Sequence, residues 1–250
     1  MNRLEAELQR LYLPRMAGHG AVQLVDAGGR VRALVLELAR PATWTELSAV
    51  WQGVQADLDL PAPAIAVSGH GGYQLWFSLA EPVDVEAARA FLDSVCARYL
   101  GGVAPERIRM EPSFDAAVTA RHVDATPPAQ VAPGRWSAFV AADLAPLFAD
   151  EPWLDHPPGV DAQADLLSRL ASTPPEAFMR ALGQLRAERR AQVPALASPA
   201  AALVEGGETR PLRRAADDAQ EPAAFLLAVM RDPSVDLHLR VEAAKALLRR

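Results

Sequence analysis

Ala64-Ile-Ala-Val-Ser68-Gly69-His70-Gly71-Gly72-Tyr73-Gln74-Leu75-Trp76-Phe77-Ser78-Leu79 is the stretch on which the fold turns. Its flanks, 64–68 and 73–79, are rich in β-branched, aromatic and apolar residues and read as two strands. The glycines between them supply the positive φ of a tight hairpin. Three glycines and a histidine exceed what a turn alone requires. Such a turn lets the backbone approach a ligand, and the amides of Ser68, Gly69, His70 and Gly71 could meet an anion such as phosphate. The plainer alternative is a hairpin whose glycines only make the turn.

Working outward, Val31–Leu38 reads as a strand paired with Ala21–Val25 across the turn Asp26–Gly29. Pro41 then breaks the chain, and Thr43 with Glu46 caps a helix running to Ala56. Beyond the hairpin, Pro82 and Asp84 introduce a helix over Val85–Leu100 that Gly101-Gly102 ends. A strand follows at Arg107–Glu111. Residues 31–111 therefore spell β-α-β-β-α-β, the ferredoxin-like split βαβ pattern, and the fold class is α+β with an antiparallel sheet. Two helices would cover one face and leave the other available.

Period-2 alternation sorts the side chains between the faces. Leu34, Leu36, Leu38, Ile65, Val67, Tyr73, Leu75, Phe77, Ile108 and Met110 point into the helix-covered core. Glu37, Ser68, Gln74, Trp76, Ser78, Arg107, Arg109 and Glu111 take the opposite phase. With the first and last strands adjacent, Glu37 falls beside Arg109 and Glu111. That arginine-bearing face is the expected ligand surface, with Trp76 able to stack a base or to be buried beneath residues 112–150.

The flanks are helical. Residues 2–12 carry Leu4, Leu8 and Leu11 at helical spacing. Strands are expected at Ala116–Val123 and Trp136–Val140, a short helical turn at 143–149, and helices at 161–171 and 175–190, the latter capped by Thr173. The reading divides into an α+β domain at 1–155, a helical extension at 160–190, a linker at 191–220 and a helical hairpin at 221–250. One such hairpin cannot bury both its apolar faces, so it is expected to dock on the body, on another copy or on a protein partner.

Half of the 250 residues are apolar and 22% are charged, as in globular proteins. No run is long and apolar enough to span a bilayer, and the charged N-terminus does not read as a signal peptide, so a cytoplasmic protein is expected. Cys96 is the sole cysteine, which excludes a disulfide framework. Lys245 is the one lysine among 25 basic residues, so residues 1–244 hold no P-loop or Schiff-base lysine. Residues 1–159 hold 12 basic and 19 acidic side chains, which argues against broad neutralisation of a duplex. Nucleic-acid or nucleotide contact there must be local, or mediated by metal ions. His19, His122, His156 and His238 lack metal-ligand spacing.

The arrangement over residues 20–125 resembles the catalytic core of archaeo-eukaryotic-type primases and primase-polymerases. That family has three short motifs, and the resemblance implies a role in replication or in a phage or other mobile element. Its first motif closes the first core strand with Asp-x-Asp; Leu36-Glu37-Leu38-Ala39 keeps one carboxylate there. Its second is a Ser-Gly-x-Gly turn leading to a strand with a histidine near its start; Ser68-Gly69-His70-Gly71 fits the turn, but Gln74 stands where the histidine would fall. Its third is an acidic residue on a later strand, for which Glu111 and then Asp115 are the candidates. Glu37 is the candidate metal ligand, and Mg²⁺ or Mn²⁺ is implied only for an active enzyme. The tail Asp232–Leu248 also resembles helical segments of phage-associated, small-terminase-like proteins.

A pair of ions bridging a reacting phosphate needs two or more carboxylates. With one in the first motif, and Arg107 and Arg109 placed to neutralise the others, a non-catalytic binding module is expected. A metal-dependent primase-polymerase with an eroded site and a protein-interaction scaffold are the two alternatives.

Overall fold

The computed structural model describes residues 2–13, 24–26, 28–41, 43–114, 120–121 and 126–192. The expected hairpin at 221–250, most of the expected linker and Asp115 lie outside them.

The central layer is a six-stranded antiparallel sheet. Its strands are β1 (Arg30–Ala39), β2 (Ala64–Val67), β3 (Gly72–Asp84) and β4 (Ile108–Glu111), extended by the later hairpin of β7 (Ala129–Ala132) and β8 (Arg135–Val140), and the order is β4-β1-β3-β2-β8-β7. In register, Glu37 stands opposite Gln74 on one side and Arg109 on the other, and Val35 stands between Trp76 and Glu111. β8 is the strand expected at Trp136–Val140, and its edge partner is β7 rather than the strand expected at Ala116–Val123. The described part of that segment, β6 (Ala120–Arg121), pairs with β5 (Ser113–Phe114) in a separate two-stranded ribbon.

One face carries the apolar phase read from the sequence. Leu34, Leu36, Leu38, Ile65, Val67, Tyr73, Leu75 and Phe77 are buried there against α2 (Trp44–Ala56) and α3 (Val85–Tyr99). Each buried Leu or Phe is worth about 1.5–3 kcal/mol relative to exposure. Phe91 of α3 meets Phe77 edge-on at 5.7 Å and Phe178 at 5.3 Å, so α5 (Pro175–Gln192) joins this layer. Thr173 does not cap that helix. The β1–β3 ladder shifts register between Val31 and Ala33, and Thr173 instead bridges β3, donating its amide to the Ser78 carbonyl and accepting from the Ala80 amide.

The second face is not left available, contrary to expectation. Leu4, Leu11 and Tyr12 from α1 (Arg3–Leu11) and its end, with Ala164 and Leu167 of α4 (Val160–Ser168), bury Ala33, Val35, Ala64, Ala66, Trp76 and Phe139. Asn2 and Glu5 close α1 with a reciprocal capping box, each side chain accepting from the other's amide at 2.8 Å. Arginines then lock the layer. Arg32 donates to the Leu79, Leu13 and Arg10 carbonyls, and Arg10 donates to the Leu167 and Leu170 carbonyls. Gln163 of α4 binds both backbone groups of Phe139, at 2.8 and 2.9 Å. It occupies the edge of β8 beyond the last pair with β7.

Candidate functional site

The expected ligand face divides once the side chains are placed. Trp76 is fully buried, in edge-on contact with Tyr12 at 5.3 Å and Phe139 at 6.0 Å. Its ring is closed to a stacking base; α1 with Tyr12, α4 and, from the segment 112–150, Phe139 cover it together. The same apolar surroundings push the Tyr12 hydroxyl far above its ordinary value by desolvation.

Trp76 begins a hydrogen-bonded chain across the sheet. Its Nε1 donates to Gln74 Oε1 at 2.9 Å, and Gln74 Nε2 donates to Glu37 Oε2 at 2.9 Å. The indole N–H can only donate, so it forces the amide oxygen of the buried Gln74 toward itself and the amide nitrogen toward Glu37. Glu37 is half-buried, and Arg109 is exposed on the neighbouring strand directly opposite it. Arg109 makes no ion pair among the described residues.

Arg107 is not part of that row. It lies in a 3-10 turn at Pro105–Arg107 before β4 and pairs with Glu46 of α2 at 2.7 Å while donating to the Pro41 carbonyl. The Arg107 hydrogen bond is the main reason the Glu46 carboxyl titrates below its ordinary value. Glu111 is half-buried, already has a partner, and lies two residues along β4 from Arg109. Among the described residues, no three Asp, Glu, His or Cys side chains gather as a metal site. Glu37 is thus the carboxylate of the row at the end of β1; it suits one ion held through water better than a bridged pair.

The glycine-rich turn consumes its own donors. Ser68 is buried; its Oγ accepts from the His70 and Gly72 amides at 3.3 and 3.0 Å. Its amide donates to the Gly72 carbonyl, and the Gly69 amide donates to the Pro152 carbonyl. Four of the turn's five amides have acceptors within the protein, so the turn is not a ready-made anion cradle. Gly69 and Gly71 supply the positive φ, at 78° and 120°. Gly72 has a different reason: a Cβ there would come within 2.6 Å of the Leu38 carbonyl oxygen. His70 is exposed at the tip.

Sequence reasoning missed the side chains around this turn. Arg40, at the end of β1, lies across Gly71, where an added Cβ would be 3.0 Å from its Nε. Its guanidinium carbon sits 5.1 Å from the centre of the Trp153 ring and that of Arg135 sits 4.3 Å from it. Trp153 is brought here because the neighbouring Leu154 pairs with Trp136 through two backbone hydrogen bonds, at 2.9 and 3.0 Å. No spacing rule joins residues 40, 71, 135 and 153; the one sequence signal was an excess of glycine.

Cys96 is packing: burial pushes its thiol up to about 12, and its Sγ lies 3.7 Å from Met110 Sδ. No helix among the described residues is long and apolar enough to cross a membrane. No protein-family model matches the chain, and no curated protein matches it in sequence.

Proposed function

We propose that the chain is a non-catalytic, primase-like module that binds nucleic acid or nucleotide in a replication or mobile-element setting. The observation that carries this reading is the row Arg109–Glu37–Gln74. The partial order β4-β1-β3-β2, with α2 and α3 on one face, supports this reading, since a split βαβ unit has that order and would set the first and second motifs of the primase resemblance side by side. Within that row stand one half-buried carboxylate, one exposed guanidinium and a buried amide whose donor is already spent on the carboxylate. Such a set recognises a base edge or a phosphate. It lacks the second carboxylate needed to activate a 3′-hydroxyl and steady the leaving group together.

The test is primer extension and de novo synthesis with Mg²⁺ and then Mn²⁺, alongside binding of single-stranded oligonucleotide and of deoxynucleoside triphosphate. Binding without incorporation is the expected result. Incorporation that vanishes in Glu37→Ala would overturn it in favour of the polymerase, and absence of all binding would leave the scaffold.

A further inference from the structure

We infer that the Arg40–Trp153–Arg135 cluster is the phosphate grip of the proposed module, the chemistry recognised being a phosphodiester or a polyphosphate. This inference rests on the nucleic-acid or nucleotide reading and deepens it by giving the ligand a second, charged foothold.

Three observations converge on the cluster. The first is charge. Two guanidinium carbons are held within 4.3 and 5.1 Å of one indole centre, in a chain of net charge −6. Neither arginine makes an ion pair among the described residues, whereas Arg3, Arg10, Arg89, Arg98, Arg107 and Arg180 each do. Arg40 also donates to the Asp150 backbone carbonyl at 2.8 Å. The second is preorganisation. Gly71 has no Cβ to block Arg40, and the Gly69 amide ties the turn to Pro152 beside Trp153. Stacking on an aromatic face holds a planar guanidinium while its outer N–H donors stay free for a phosphate.

The third is position. Ala39 pairs with Gly72, Glu37 with Gln74 and Val67 with Ala138, so Arg40, the turn and the start of β8 share the sheet end that also carries Glu37, Gln74 and Arg109. A strand of nucleic acid crossing that end would meet guanidiniums on both sides of the Glu37–Gln74 pair. The turn's glycines thus serve an anion indirectly: they seat an arginine instead of offering their own amides.

The experiment uses the full chain, fluorescein-labelled oligo-dT and dATP as separate probes, and a salt titration. Arg40→Gln/Arg135→Gln is compared with Arg186→Gln/Arg189→Gln/Arg190→Gln. The latter three arginines line a rival basic groove against α3. The expected result is at least a tenfold loss of affinity in the first variant alone, for whichever probe binds. With oligo-dT, the slope of log affinity against log salt should also shrink by about 1.4, two contacts' worth. Arg40→Lys/Arg135→Lys, which keeps the charge but loses the planar fork, should fall between wild type and the glutamine variant while melting like wild type. Loss in the triple variant with retention in the double would overturn the inference and leave the proposed function standing. Wild-type protein that binds neither probe would overturn both.

Discussion

A single side chain shows how much of this protein rests on satisfied polar groups. Gln74 is buried in an apolar layer and is tolerated because both ends of its amide are used, one by Trp76 and one by Glu37. Leucine has similar bulk but would leave the buried indole N–H without an acceptor. Gln74→Leu should therefore cost about 1–3 kcal/mol in urea unfolding. Trp76→Phe deletes the donor but leaves space in the layer. The double variant should cost measurably less than the sum of the two single changes, because the orphaned donor is then gone. Strict additivity would show that the Gln74–Trp76 bond contributes nothing. Alternation assigned Gln74 and Trp76 to the correct face. It could not tell that this face is closed, because α1 and α4 are distant in sequence and period 2 says which side, not what lies beyond it.

Helices and strands were legible where a local signal is strong. The Thr43 cap, the Asp84–Val85 start of α3 and all four strands of residues 31–111 follow from turn residues and period. Elements fixed by long-range pairing were not. β7 is recognisable only through its partner β8, and Thr173 reads as a cap although it bridges β3. The same dependence governs the edge of β8, where Gln163 replaces a strand by binding the Phe139 amide and carbonyl. Gln163→Leu would leave both groups unpaired and reopen that edge, at a cost of about 2–4 kcal/mol. Hydrogen exchange should show faster loss at the Phe139 amide than at the α2 and α3 amides. Equal acceleration everywhere would mean that the variant only lowers global stability.

For the whole molecule, two carboxylates tie separate helices to their neighbours. Glu46 joins α2 to Arg107 at the entry to β4, and Glu188 joins α5 to Arg98 of α3. Glu46 is held below its ordinary value mainly by Arg107, and Glu188 by Gln184 and then Arg98. A lowered folded-state pKa means stability that is fully present above the unfolded value and is lost as pH falls through the folded one. Stability should thus be flat near neutrality and decline from about pH 5 downward. Glu46→Gln/Glu188→Gln should be less stable at pH 7, with a shallower decline on acidification. An unchanged acid slope in urea titrations would place the acid sensitivity elsewhere.

Local signals in the chain suffice for the α+β class, the antiparallel pairing of residues 31–111 and the apolar face beneath α2 and α3. Strand period, glycine turns and helix caps are local, and burying one consistent face leaves few arrangements. Long-range packing settles which polar residues of the other face stay in reach of solvent. Trp76 vanished beneath α1 and α4, Arg107 turned to Glu46, and the Ser68 turn spent its amides on itself. Arg40, Arg135 and Trp153 came together in their place. Residues so far apart in the chain meet because burial and backbone pairing, summed over the whole molecule, outweigh any local preference.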